Sequence, residues 1–270
     1  MSAFDLGPAL LFCPADRPER YAKAAERADA VILDLEDAVA PADKAVGRES
    51  LLANPLDPAR TIVRVNPVDT EDFALDLAAL VATGYRTVML AKTVSAEQVE
   101  RLGGYDVIAL CETAAGVLAA PSIAAEENVI ALMWGAEDLV VSIGGTSSRF
   151  ADGRYRDVAA HARSSVLLAA AASGTAAIDA VHLDITDVDG LESEARDAAA
   201  VGFVATACIH PSQVPVIRAA YAPTAEELDA ARMLLAAAVG QRGVFRYDGR
   251  MIDGPVLRHA EQVVRRGRSS

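Results

Sequence analysis

Cysteine is scarce in this chain, and its few copies are scattered. Cys13, Cys111 and Cys208 each lie in a separate apolar run, and no CxxC occurs. An odd, dispersed set is not a disulfide framework; buried free thiols in a reducing cytosol fit it. Positive charge is also short. Lys and Arg number 25 against 38 Asp and Glu, a net charge of −13, which argues against a general nucleic-acid or anionic-membrane surface. Any anionic ligand must then be held by local arginines working against the overall field. At the N-terminus, Met1-Ser2-Ala3-Phe4-Asp5 lacks the basic segment and following apolar stretch of a signal peptide. No apolar run approaches membrane-spanning length: the Ala-rich segment 167–172 is short and meets Ser173-Gly174. Repeats of solenoid period and low-complexity linkers are missing too. These absences leave a cytoplasmic globular chain, and its 270 residues fit one large α/β barrel or two ordinary domains.

What is present is a regular alternation. Near-continuous apolar runs at 9–13, 30–35, 61–66, 87–92, 107–111, 129–134, 177–183 and 202–207 read as strands covered on both faces. Helical segments separate them: 18–28, with Asp16 placed to cap it; one opening at Pro41; 72–82, closed by Gly84; a segment from Ser95 to Leu102; 121–127; 157–172; and 190–201. Eight strand–helix units indicate a parallel sheet closed as a (β/α)₈ TIM barrel. An open doubly wound sheet is the alternative, disfavoured because no GxGxxG follows the first strand. After Tyr221 the texture changes. Thr224 caps a helix ended by Gly240, Asp248-Gly249 sits between two short apolar runs as a hairpin signal, and a last amphipathic helix spans 255–265. The expected division is a catalytic barrel at 1–221 and a C-terminal extension at 222–270 that packs on the barrel or on another subunit.

A barrel keeps its chemistry at the C-terminal ends of its strands. The tips carry Ala15-Asp16-Arg17, Glu36-Asp37, Arg64, Lys92, Glu112, Asp138, Asp184 and His210. Asp16, Asp184 and Lys92 read equally well as caps or loop charges, His210 as satisfying a buried turn, and His161 and His259 as surface residues. Glu112 follows Val107-Ile108-Ala109-Leu110-Cys111, and Asp138 follows the run ending in Trp134-Gly135. If those runs are neighbouring parallel strands, the two carboxylates stand side by side and repel unless a cation separates them. Hard oxygen ligands without His or Cys suit Mg²⁺. Arg64 lies inside Ile62-Val63-Arg64-Val65, pointing into the mouth or the wall, and needs an anion: Glu36, Asp37 or a substrate carboxylate.

Several motifs carry a resemblance, in order and over nearly the whole chain. Leu11-Phe12-Cys13-Pro14-Ala15-Asp16-Arg17-Pro18-Glu19-Arg20, Val31-Ile32-Leu33-Asp34-Leu35-Glu36-Asp37-Ala38, Arg64-Val65-Asn66, Glu112-Thr113, Gly135-Ala136-Glu137-Asp138-Leu139 and Asp248-Gly249-Arg250-Met251-Ile252-Asp253 resemble the citrate lyase β-subunit-like branch of the HpcH/HpaI aldolase/citrate lyase superfamily. The nearest likeness is to stand-alone CitE-like β-hydroxyacyl-CoA lyases. The resemblance implies a homotrimer of barrels, with Mg²⁺ held by Glu112 and Asp138. It implies a substrate carboxylate met by Arg64 and by amides around Gly135, Ala136 and Asp138. The first loop, with Ala15, Asp16, Arg17 and Arg20, would meet the CoA phosphates. Asp253 would reach the active site of an adjacent subunit. Cys13 and Ala15 depart from the Val-Pro-Gly-Asp pattern common in relatives, and Ala15 adds a methyl where phosphate would approach.

The implied reaction is reversible retro-Claisen cleavage of a β-hydroxyacyl-CoA of citramalyl, malyl or hydroxymethylglutaryl type, with thioester hydrolysis as a side activity. In it Arg64 faces the departing acetyl-CoA enolate, Asp253 delivers the proton, and Glu36 or Asp37 has an orienting role. Three rivals stand beside it: a citrate lyase β subunit acting on a citryl thioester of an acyl carrier protein, a metal-dependent aldolase of free 2-keto-3-deoxy acids, and a non-catalytic barrel that binds an organic acid.

Overall fold

The computed structural model describes residues 4–267. Eight parallel strands close into one barrel in chain order: β1 (Ala9–Pro14), β2 (Ala30–Asp34), β3 (Thr61–Val65), β4 (Thr87–Leu90), β5 (Asp106–Cys111), β6 (Val129–Trp134), β7 (Ala176–Asp179) and β8 (Ala205–Cys208). The helices around them are α1 (Tyr21–Arg27), α2 (Lys44–Ala53), α3 (Glu71–Val81), α4 (Ala96–Glu100), α5 (Ala114–Ala124), α6 (Ala136–Ser142), α7 (Asp157–Ser173), α8 (Val188–Val201) and α9 (Val214–Tyr221). β1 pairs with β8 through Ala9–Thr206, Leu10–Ala207 and Leu11–Cys208, which closes the ring.

Side chains alternate along a strand, so every second residue faces the interior. The buried interior is filled by Leu10, Ile32, Ile62, Ile108, Met133 and Ile178 and their neighbours. Continuing the same alternation toward the C-terminus, two residues on from Leu10, Ile32 and Ile62 and four on from Ile108, puts Phe12, Asp34, Arg64 and Glu112 on the inward face. The apolar filling therefore ends at the mouth in an aromatic ring and three ionisable groups, as the barrel rule requires.

Several boundaries differ from the sequence expectation. Asp16 does not cap the first helix. Pro18–Arg20 form a 3₁₀ turn whose N-cap is Arg17, without a side-chain cap, and α1 starts at Tyr21. The segment after β5 is helical from Ala114, not from Pro121, because Thr113 caps it by accepting from the Gly116 amide at 3.1 Å. Pro121 lies inside α5 and removes one N–H from its last turns. Gly116 is required there: a Cβ would stand 2.3 Å from the Thr93 carbonyl oxygen. The short helix α6, directly behind the sixth strand, was not expected. β7 ends at Asp179 rather than 183, where the Asp179 carboxylate turns to accept from the Trp134 indole N–H at 2.6 Å and from Arg163.

The chain divides into two compact units between Ile217 and Arg218, inside α9. The second contains α10 (Ala225–Ala238), the hairpin β9 (Phe245–Tyr247) and β10 (Arg250–Ile252), and α11 (Gly254–Arg266). Thr224 and Glu227 form a reciprocal capping box on α10. Asp248 and Gly249 take φ of 46° and 74°, the left-handed pair that a two-residue hairpin turn demands. Ala231, Ala260 and Val263 make its small core, with Leu228, Leu234 and Leu235 against them. No helix among the described residues is long and apolar enough to cross a membrane.

Candidate active site

β2 and β3 build the first half of the site. Asp34 and Arg64 are register partners at the ends of these strands. The Arg64 Nε and Nη2 donate to the two Asp34 oxygens at 2.7 and 2.5 Å, and Nη1 lies 3.0 Å from Glu36 Oε2. Phe12 lies under the guanidinium, 4.9 Å from its carbon to the ring centroid. Burial works against the charge on Arg64, but Asp34 and then Glu36 overcome it and hold it firmly protonated. Asp34, completely buried, also accepts from the Glu36 and Ala38 amides at 2.9 and 3.1 Å. The anion that Arg64 needs is thus mainly Asp34, a residue the sequence reading did not put forward, and only secondly Glu36. Asp37 does not touch it. Because the Nε–Nη2 edge is taken by Asp34, a substrate carboxylate cannot claim that same edge in this arrangement.

Behind Glu36 stands a second buried cation. The Lys44 ammonium donates to the Leu35 and Glu36 carbonyls and to Asn66 Oδ1, at 2.8, 2.9 and 2.8 Å. Asn66 in turn donates to Asp76 at 2.7 Å. The β2–α2 turn that carries Glu36 and Asp37 is therefore fixed by side chains from α2 and the β3–α3 loop, which give the Leu35 and Glu36 carbonyls the partners that buried carbonyls need.

The second half comes from β5 and β6, neighbours paired through Cys111 and Trp134. Glu112 follows β5 and is 3% exposed. Its Oε1 accepts from the Lys92 amide at 3.0 Å. Burial, and then the charge of Asp138, push its carboxyl up to about 8. Asp138 sits in the first turn of α6, where an acid complements the helix dipole, with its side chain 38% exposed. A Cβ on Gly135 would stand 2.9 Å from both Cβ and Oε2 of Glu112, so only glycine leaves this carboxylate its place. A cleft of about 220 Å³ opens between Phe12, Leu110, Met133 and Trp134, with Asp34, Arg64, Glu112, Gly135, Ala136 and Asp138 reaching it.

Among the described residues no group of three or more His, Cys, Asp or Glu forms a ready cation cage. Two carboxylates nonetheless fit magnesium. That ion binds through one or two protein carboxylates and leaves its other positions to water and substrate. A buried Glu whose ionisation is opposed by a neighbouring acid is stabilised by a divalent charge placed against both.

The remaining expected residues fall elsewhere. Ala15 is fully buried, and its methyl faces Gly47 of α2, where a Cβ would come within 3.4 Å of it; the departure from glycine is absorbed inside the fold. Asp16 Oδ1 is buried with no hydrogen-bond partner. Arg17 and Arg20 extend to solvent, with only loose ion pairs to Asp16 and Glu19 at 3.8 and 3.9 Å. Asp253, in the second unit, caps α11 by accepting from the Val256 amide at 3.3 Å. His210 lies on an exposed turn, not a buried one, accepting from the Ser212 amide. The buried histidine is His182, which no motif marks. Its Nδ1 lies 2.9 Å from Glu194.

Known proteins similar to this chain point to one family. The profile of the HpcH/HpaI aldolase/citrate lyase family matches residues 9–211. The chain is 60% identical to a citrate lyase subunit beta-like protein of Mycobacterium tuberculosis, over 96% of this chain and 95% of that one. It is 30% identical to the mitochondrial citramalyl-CoA lyase of Rattus norvegicus, over 95% and 84%. The crystal structure of Mycobacterium tuberculosis CitE in complex with magnesium, acetoacetate and coenzyme A superposes with a TM-score of 0.94, at 60% identity, covering 97% of this chain and 98% of that chain.

Proposed function

The chain belongs to the HpcH/HpaI aldolase/citrate lyase family, and we propose that it is a magnesium-dependent carbon–carbon lyase. Its substrate would be a β-hydroxyacyl-CoA of the citramalyl, malyl or hydroxymethylglutaryl type, and its products acetyl-CoA and a keto acid. One observation carries this: Glu112, buried beside Asp138 at adjoining strand ends, with its carboxyl pushed up to about 8 and its space kept by Gly135. The magnesium, acetoacetate and coenzyme A bound by the Mycobacterium tuberculosis relative support the same reading.

Glu112 and Asp138 would hold the magnesium, which when bound supplies Lewis acidity toward the substrate's oxygens. The other steps fall to the chain itself. The β-hydroxyl releases its proton to solvent and its O–H electron pair becomes the keto acid's carbonyl bond. The electron pair of the breaking bond between the α and β carbons moves onto the thioester carbonyl, and the permanently charged Arg64 is the group that would face the resulting enolate. Asp34 and Glu36 hold Arg64 so that no reorganisation is needed at that moment. The enolate carbon then takes a proton, assigned to Asp253 of an adjacent chain in a homotrimer. Gly135 and Ala136 offer backbone amides to the keto acid, and Ala15, Asp16, Arg17 and Arg20 form the loop that would meet the CoA phosphates. Run backwards, the site condenses acetyl-CoA with the keto acid, and thioester hydrolysis is a side activity.

The test is a screen of free β-hydroxyacyl-CoA esters with and without EDTA, alongside Glu112→Gln. Metal-dependent release of acetyl-CoA, abolished in a folded Glu112→Gln chain, is expected. Activity confined to acyl-carrier-protein thioesters, or unchanged in Glu112→Gln, rejects the proposal.

A further inference from the structure

Only three lysines occur in the chain, Lys23, Lys44 and Lys92, and two of them stand at the strand mouths. Lys44 supports the turn bearing Glu36 from behind. Lys92 stands in front of it and is held in an unusual backbone state. Its φ is 50°, and among the described residues the only other non-glycine with positive φ is Asp248 of the hairpin turn. A side chain of ordinary size enters the left-handed region only when its surroundings over-determine it. Here Thr93 anchors the bend on the far side, its amide donating to the Leu110 carbonyl at 3.0 Å and its hydroxyl to the Leu90 carbonyl at 2.8 Å.

The bend aims both ends of Lys92 at acids. Its amide donates to Glu112 Oε1 at 3.0 Å. Its ammonium donates to Glu36 Oε1 and to Asp37 Oδ2, the latter at 3.0 Å, and stands 3.6 Å from Asp138 Oδ1. One residue thus touches the carboxylates at the tips of β2, β5 and β6. Five acids meet there, Asp34, Glu36, Asp37, Glu112 and Asp138, against two cations, Arg64 and Lys92. Arg64 is committed to Asp34 and Glu36. Asp138 has no contact from Arg64 and only the longest of the Lys92 contacts.

We propose that Lys92 is a positioning residue of this site: it fixes Glu112 through its amide, holds Glu36 and Asp37 through its ammonium, and gives Asp138 a provisional partner that a divalent ion displaces. This rests on the magnesium assignment above. Two cations near one carboxylate compete for it, so the ammonium lowers magnesium affinity while keeping the Glu36 side of the site in order.

The experiment titrates magnesium chloride into the purified full chain by calorimetry and measures kcat and KM on the best CoA ester at saturating magnesium. Lys92→Met keeps the amide contact and loses the charge. It should bind magnesium at least about threefold more tightly, while kcat falls about tenfold or more and KM for the thioester moves little. An unchanged or weakened magnesium Kd, or an unchanged kcat, overturns the proposal. Lys92→Arg is the second arm and decides the matter if Lys92→Met does not fold. It keeps the charge, so magnesium Kd should stay within about twofold of wild type. Its planar fork cannot replace a point charge shared by two carboxylates, so kcat still falls. Wild-type kcat in Lys92→Arg, or a displaced Kd, overturns the proposal. A wild-type chain that binds no magnesium at all removes the proposed function itself. Wild-type binding with unaltered variants removes only the role of Lys92.

Discussion

Asp34 determines what Arg64 can do. A lone guanidinium in a barrel mouth would search for any carboxylate; one gripped on two nitrogens is a fixed positive charge. Asp34→Asn keeps the shape but halves the acceptor capacity and leaves the buried cation short of a counter-charge. Breaking a buried pair from one side costs about 3–5 kcal/mol, so urea unfolding should show a loss of that order, together with loss of turnover. A chain as stable as wild type would mean Arg64 is paired well enough by Glu36 alone. Gly135→Ala probes the opposite corner. The added methyl must move the Glu112 side chain, by Cβ and Oε2 at once, so magnesium affinity measured by calorimetry should fall about tenfold, the size typical of disturbed support around a metal ligand. Overpacking of this kind costs about 1–3 kcal/mol. The two residues also show what was legible at this scale. Glu112 and Asp138 stood out because each breaks an apolar run. Asp34 breaks one as well, but Leu35 comes next and makes it look like a strand interior. The alternation Ala30, Ile32, Asp34 places it inward, and so does Ile62, Arg64; reading both strands by period two would have paired them.

Among the elements, strands are easier to read than the helices and loops behind them. Each strand is a short apolar run whose faces are both covered, and its existence survives a boundary error of a residue or two. The helix α5 was misplaced because Pro121 looks like a start, whereas the Thr113 cap and the buried Gly116 decide where the helix begins. The excursion between α6 and α7 was invisible, because its anchors are distant in sequence. Ser148 donates to Glu137 Oε1 at 2.5 Å, and Arg149 bonds Glu194 of α8 while stacking 3.8 Å over the Tyr155 ring. His182 shares Glu194 and has Asp187 on its other side at 3.3 Å. The hydrogen bond to Glu194 raises the His182 pKa above 6.5, against burial and the charge of Arg149. A raised folded-state pKa stabilises the fold fully below the unfolded value and ceases to do so as pH rises through the folded value. His182→Asn should therefore lower Tm most at about pH 6, by the few degrees that about 1–2 kcal/mol represents in a chain of this length. The deficit should shrink as pH rises through the raised folded-state pKa; a deficit that stays constant across the whole neutral-to-alkaline range would show that His182 acts by packing alone. Asp253 needs similar care, since it caps α11. Asparagine caps as well as aspartate, so Asp253→Asn should keep Tm and still lose about 100-fold or more in kcat if the carboxyl delivers a proton. Asp253→Ala would confuse the two effects by about 1 kcal/mol of lost cap.

At the scale of the whole molecule the charge is unevenly divided. Residues 218–270 contain nine arginines against six acids, in a chain whose net charge is −13. The excess of acid therefore belongs to the barrel portion, where the site carboxylates are. In the proposed trimer a basic extension would meet an acidic barrel across the subunit boundary, an attraction that would favour the setting assigned to Asp253. Two defective chains can decide this. An Asp253→Asn chain has an intact barrel mouth; a Glu112→Gln chain has an intact Asp253. Each alone should be inactive. Co-expressed with different tags and purified through both, they form trimers in which some barrels meet a neighbour's working Asp253. In a closed ring of three, every trimer carrying both tags has one working junction, about a third of the wild-type sites. Light scattering should report a trimer of the 28.2 kDa chain, and turnover should return toward that fraction. Mixed trimers that remain inactive would place Asp253 outside the chemistry, and the proton donor would then have to be found within the barrel itself, with Glu36 the first candidate: burial raises its pKa in spite of Arg64 and Lys92.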